Sequence, residues 1–122
     1  MLPIALIALA ATSLVHHVHN AQFLDDYPNM PAWLSVGSVY AAWLVAAAVG
    51  FAGYALWRSG HHVIGTVLLL AYGCYGLDAL IHYLIAPLAA HSLAMHLTIA
   101  LEAAAGAFLL GVVATARAHV QG

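Results

Sequence analysis

Residues 63–86 read VIGTVLLLAYGCYGLDALIHYLIA. No Lys, Arg or Glu interrupts the run, and its length suits the ~20 apolar residues that a helix needs to cross a bilayer. Pro87 follows and stops it. Two polar residues stand near its end, Asp78 and then His82 one turn later. Ionisable side chains are costly in lipid, so inside such a span they point to function.

Three other stretches have the same character, at about residues 2–19, 34–57 and 92–116, with Pro3 tolerated in the first turn of the first. The chain is 66% hydrophobic and 5% charged. Soluble domains carry roughly 25% charged residues, so lipid must be the main solvent. The connections at 58–62 and 87–91 are tight, which makes neighbouring spans antiparallel. The predicted fold is all-α: one domain over residues 1–122, an integral membrane four-helix bundle running up-down-up-down. The first span has the apolar core of a signal peptide, but no Lys or Arg precedes it. It is therefore read as a retained helix.

The positive-inside rule orients the bundle. Arg58 and Arg117 fall on one side, Asp25 and Asp26 on the other. Both termini are then cytoplasmic, and the long connection NAQFLDDYPNMPAW (residues 20–33) faces out. Trp33 and Trp57 lie near opposite ends of the second span, as interfacial anchors do. High Ala and Gly without Lys suggests a bacterial source, hence a multi-pass protein of the inner membrane. A net charge of −2 leaves no basic patch for nucleic acid. Cys74 is the only cysteine, so no internal disulfide forms.

Small residues recur at Ala42, Ala46 and Gly50, at Gly73 and Gly76, and at Ala103, Ala107 and Gly111. Such ridges let helices approach closely in lipid. Packing within one bundle is the simplest reading; a homodimer face, or a place as subunit of a membrane complex, is the other.

Nine histidines accompany two basic and four acidic residues. Chain order brings most of them to one level. His16 and His19 close the first span, Asp78 and His82 lie near the outer end of the third, and His91 and His96 open the fourth. At about 100° per residue, Thr12, Ser13, His16, His19 and Asn20 share one stripe, with His17 off it toward the rim. Cys74, Tyr75, Asp78 and His82 share another. On the fourth span His91, Met95, Thr98 and Glu102 form one stripe and Ser92 and His96 a second. Glu102, the deepest acid, has the stronger need to face inward. His61, His62 and His119 lie at the opposite end or in the tail and are read as ordinary interfacial polarity.

Neutral imidazole is the commonest protein ligand for transition metals, and carboxylates complete mixed sites. The expected metal ligands are His16, His19, Asp78, His82, His91 and His96, with Glu102 and Asp78 as catalytic acid or base. The cofactor expected is zinc, iron or copper. Haem b is disfavoured because no Lys or Arg at that end meets its propionates, although Gly73 or Gly76 could make room for the ring. The expected function is a metal-dependent membrane enzyme, hydrolase or oxidoreductase, acting near the outer leaflet on an apolar or lipid-like substrate that enters from the bilayer. Two alternatives stand beside it: a haem-carrying or metal-handling subunit of a larger complex, and a proton-relay or transport module built on His82, Asp78 and Glu102. A hydrogen-bonded cluster that merely holds the bundle together is the bland counterpart of all three. The remaining aromatic residues, Tyr27 and Tyr83 among them, are read mostly as belt and packing, with Tyr75 within reach of the site.

Overall fold

The computed structural model describes residues 1–121, with side chains through Ala118; His119 therefore lies outside the described side chains. Helix α1 covers Leu2–Gln22, α2 Val36–Arg58, α3 His62–Asp78, α4 His82–Ile85 and α5 Leu93–Gln121. A 3₁₀ turn, Ala79–Ile81, joins α3 to α4, so His62–Ile85 acts as one span. Four helices are thus long and apolar enough to cross a membrane. No strand occurs among the described residues.

Local chemistry sets the ends. Ser35 and Ser38 form a reciprocal capping box that starts α2. Its other end closes in a Schellman turn, with His61 N–H donating to Leu56 O at 2.9 Å and Gly60 at φ 90°. A left-handed residue there is least costly as glycine. The first helix runs three residues past its expected end at His19. Asn20 and Ala21 are buried, so the polar end of α1 is held inside the bundle instead of fraying into the connection.

Each helix packs on two neighbours: α1 and α3 lie diagonally opposite, with α2 and α5 between them. Pairs run antiparallel. Along α2 and α3, Gly50 meets Tyr72, Gly53 meets Leu69, and Gly65 meets Trp57. Leu6, Leu9, Leu69, Tyr72 and Leu109 fill one half of the interior; Tyr27, Ala79, Met95 and Ile99 fill the other.

The small-residue ridges hold in part. Gly73 and Gly76 of α3 pack directly on Gly106 of α5. The predicted α5 ridge does not serve: Ala107 is exposed and Gly111 has nothing near it. A four-residue step advances about 40° round a helix at about 100° per residue, so 103, 107 and 111 drift off the buried face. The exterior carries large apolar side chains, among them Leu44, Val45, Leu84, Leu93 and Leu97. That surface suits lipid.

Candidate functional site

One end of the bundle collects the polar residues, opposite Arg58. Helix α1 brings Ser13, His16, His17, His19 and Asn20; the first connection brings Tyr27; α3 and α4 bring Tyr75, Asp78, His82 and Tyr83; the last turn and α5 bring His91, His96 and Glu102. Ring centroids connect them: His16 to His82 at 5.3 Å, Tyr27 to His82 at 5.0 Å, His82 to His91 at 6.3 Å and His91 to His96 at 5.8 Å. Ser13, His16, His17, Asn20, His82, His91 and Glu102 are all buried.

The six histidines divide into two groups. Three are tied to tyrosines. His17 Nδ1 lies 2.8 Å from Ser13 O, which can only accept, so Nδ1 carries the proton and Nε2 accepts from Tyr75 Oη at 2.7 Å. His19 shares a 2.8 Å hydrogen bond with the Tyr27 hydroxyl, and His96 one of 2.8 Å with that of Tyr83. Burial pushes the Tyr27 phenol up to about 12.

The other three present nitrogens with no partner among the described residues: His16 Nδ1, His82 Nδ1 and His91 Nε2. His91 is the clearest. Its Nδ1 donates to Pro87 O at 3.1 Å, so Nε2 holds an uncommitted lone pair in a buried setting. Glu102 Oε2 is also without a partner and lies 3.9 Å from His16 Nδ1, beyond hydrogen-bond distance. Leaving a buried polar atom unpaired costs about 1–3 kcal/mol. With Ser13 Oγ and Asn20 Oδ1, six such atoms lie at this end among the described residues, a sizeable cost of the kind a binding site carries.

The predicted ligands are therefore not equivalent. His82 stands between His16 and His91, with Glu102 beside His16. His19 and His96 flank the cluster, each with one nitrogen engaged by a phenol. Asp78 and His82 are not stacked as a plain helix would stack them. Asp78 is exposed at the mouth, whereas His82 is buried. The 3₁₀ turn between them has about 3.0 residues per turn and a ~2.0 Å rise, which rotates and stretches the pair apart. Among the described residues, no three His, Cys, Asp or Glu side chains converge at ligating distance. The stripe of Met95, Thr98 and Glu102 on α5 faces inward, as its deep acid demands, and His91 in the turn before α5 is buried with it.

Three participants escaped the sequence reading. His17, assigned to the rim, is buried, because α1 is enclosed from both flanks and its inward arc is wider than one stripe. Tyr27 and Tyr83, read as packing, hold His19 and His96. The room expected for a haem ring at Gly73 and Gly76 is filled by Leu110, Leu9 and Gly106. At the far end, His61 bonds Ser59 and His62 sits edge-on to Trp57, apart from the cluster.

A cavity of about 240 Å³ opens among these groups, lined by His16, His17, Asn20, Tyr75, His82 and Glu102, with Asp78 at its edge and Met30 and Leu34 above. No family model, curated protein or solved structure matches this chain.

Proposed function

We propose that this membrane bundle binds a transition metal ion, zinc, iron or copper, through His16 and His82, with Glu102 and His91 completing the donor set. One observation carries the reading: His16, His82 and His91 keep unpartnered buried nitrogens, while their three neighbours are capped by tyrosines. The donor chemistry fits a metal of the zinc, iron or copper class. The 3.9 Å gap from His16 Nδ1 to Glu102 Oε2 also fits, since ligand bonds of about 2.0–2.2 Å on each side span up to ~4 Å. His91 sits in the turn between α4 and α5 and must move inward for a third histidine to join.

A bound ion would polarise or activate the polar group of a substrate in the cavity. The chain's own contribution is Glu102, a carboxyl positioned to take or give a proton beside His16. His17, oriented by Ser13 O and Tyr75, holds one wall. The ion and an apolar substrate together make a membrane enzyme; the ion alone makes a metal-handling subunit. Elemental analysis of detergent-purified protein, reloaded with each metal, tests the reading. Stoichiometric metal is expected in wild type and in His61→Ala, and background levels in His16→Ala and His82→Ala. A reloaded wild type that stays free of metal overturns it. The lack of three converged donors supports a second reading, proton transfer between His16 and Glu102 without a metal, which that outcome would favour.

A further inference from the structure

We propose that the groove between α2 and α3 holds the hydrocarbon chain of a single-chain amphiphile whose uncharged, hydroxyl-bearing head enters the histidine cavity. The inference rests on the proposed function only in taking that cavity as the working site; the chain-binding half stands on the groove itself.

The groove has a volume of about 590 Å³ and is lined by Ala42, Val45, Ala46 and Val49 of α2 with Ala71 and Tyr72 of α3. From Ser38 to Val49 it extends roughly 16 Å along α2, at ~1.5 Å per residue. Its walls are almost wholly apolar. The two helices meet backbone to backbone at Gly53 and Gly65, beyond Val49, and the opposite end of the groove, at Ser38, adjoins the histidine cavity. Ser38, Ala42 and Tyr75 line both groove and cavity, so the two adjoin. Tyr72 lies flat against Gly50, where any side chain would collide with its ring. Its hydroxyl is buried without a partner although the residue is only 1% exposed.

Charge and hydrogen bonding define the head. Glu102 and Asp78 line the cavity, and the chain's two cations, Arg58 and Arg117, lie at the far end. A carboxylate, sulfate or phosphate head would add to the negative charge of Glu102 and Asp78, with no Lys or Arg side chain in the cavity wall to offset it. The open groups chiefly accept: Asn20 Oδ1 and Glu102 Oε2 lack partners, and Tyr75 has committed its proton to His17. A hydroxyl supplies the missing donor. A phospholipid fails on both counts, having two chains and an anionic phosphate.

The test uses the whole protein in nanodiscs with a photoreactive long-chain alcohol and peptide mapping of the adduct. Labelling is expected on residues 41–49 and 71–75, displaced by unlabelled alcohol but not by a fatty acid of equal length or by excess phospholipid. Ala42→Trp, which plugs the shared passage, should lower labelling about tenfold, equivalent to ~1.4 kcal/mol of affinity. Val45→Trp, on the exposed wall, gives a second plug if the first does not fold. Even labelling over α1 and α5, equal displacement by phospholipid, or unchanged labelling in both folded variants overturns the proposal. Metal is measured on the same samples. Metal with no specific label sinks this proposal alone, and specific label with no metal sinks the metal reading alone.

Discussion

Gly106→Ala should weaken the bundle at the seam between α3 and α5. A Cβ on Gly106 would lie 2.8 Å from Gly73 O and 3.0 Å from Gly76 Cα, against 3.4 Å or more for ordinary contact. Both neighbours are backbone, so no rotamer change relieves the clash. Helices α3 and α5 must part by about half an ångström, and overpacking of this kind costs about 1–3 kcal/mol. Alanine returns ~0.5–1 kcal/mol through its better helix propensity. The net loss is roughly 1–2 kcal/mol, a factor of about 5–30 in the folded-to-unfolded ratio. Gly111→Ala is the matched control on the same helix. Nothing lies within 4 Å of that Cβ, so it should be neutral or stabilising by up to ~1 kcal/mol. SDS titration from mixed micelles, followed by far-ultraviolet circular dichroism, ranks the three proteins. A Gly106→Ala midpoint at or above wild type, or an equal loss in Gly111→Ala, refutes the reasoning.

Tyr75→Phe leaves His17 Nε2 buried and unpaired, so the same titration should show a loss of about 1–2 kcal/mol with helicity intact; an unchanged midpoint would show that the phenol does not hold His17. Glu102→Leu should raise stability by about 1–3 kcal/mol, because it replaces an unpartnered buried oxygen with an apolar group, while metal loading falls; a destabilised variant that still loads metal contradicts the assignment of Glu102. Tyr27 titrates from 10.0 up to about 12 on burial. A raised acid favours its neutral form in the folded state, so this contribution is complete below pH 10 and lost as pH climbs through about 12. The difference in phenolate absorbance between wild type and Tyr27→Phe reads that titration directly, and a Tyr27 signal that rises near pH 10 would mean the connection is not docked over the site.

The four spans were legible because apolar length is a one-dimensional property. The gathering of histidines was legible for a related reason: an up-down-up-down chain brings the last turns of the first and third spans, with His16 and His82, to the same end as the start of the fourth, with His91, whatever their rotation. Rotation is where the sequence was weaker. The argument from phase treated 63–86 as one uniform helix, and the 3₁₀ turn at Ala79–Ile81, which separates Asp78 from His82, has no obvious mark in LDALIH. His17 fell outside a stripe drawn about a single axis, yet α1 is enclosed on both flanks. The pairing of histidines with tyrosines was beyond reach, since it depends on side chains meeting across 58 positions in one case and 8 in another. Gly106 was passed over in favour of Gly111, because even spacing by four looks regular while the buried face of a straight helix is not.

The bundle is held together differently along its length. Toward the Arg58 end backbones touch through Gly53 and Gly65, and in mid-bundle through Gly76 and Gly106, and nothing can replace those contacts without the helices separating. At the other, three phenol–imidazole bonds act as ties: Tyr75 links α3 to α1, Tyr27 links the first connection to α1, and Tyr83 links α4 to α5. A hydrogen bond, unlike a packed glycine, can be exchanged for another of the same kind at a net difference of only ~1 kcal/mol. Any guest that offers a donor or acceptor can thus undo a tie while it forms its own bond, and the seam below stays shut. The molecule is hinged by chemistry more than by flexible chain: loosening is confined to the end where exchange is cheap, and the fold is guarded by the end where it is not.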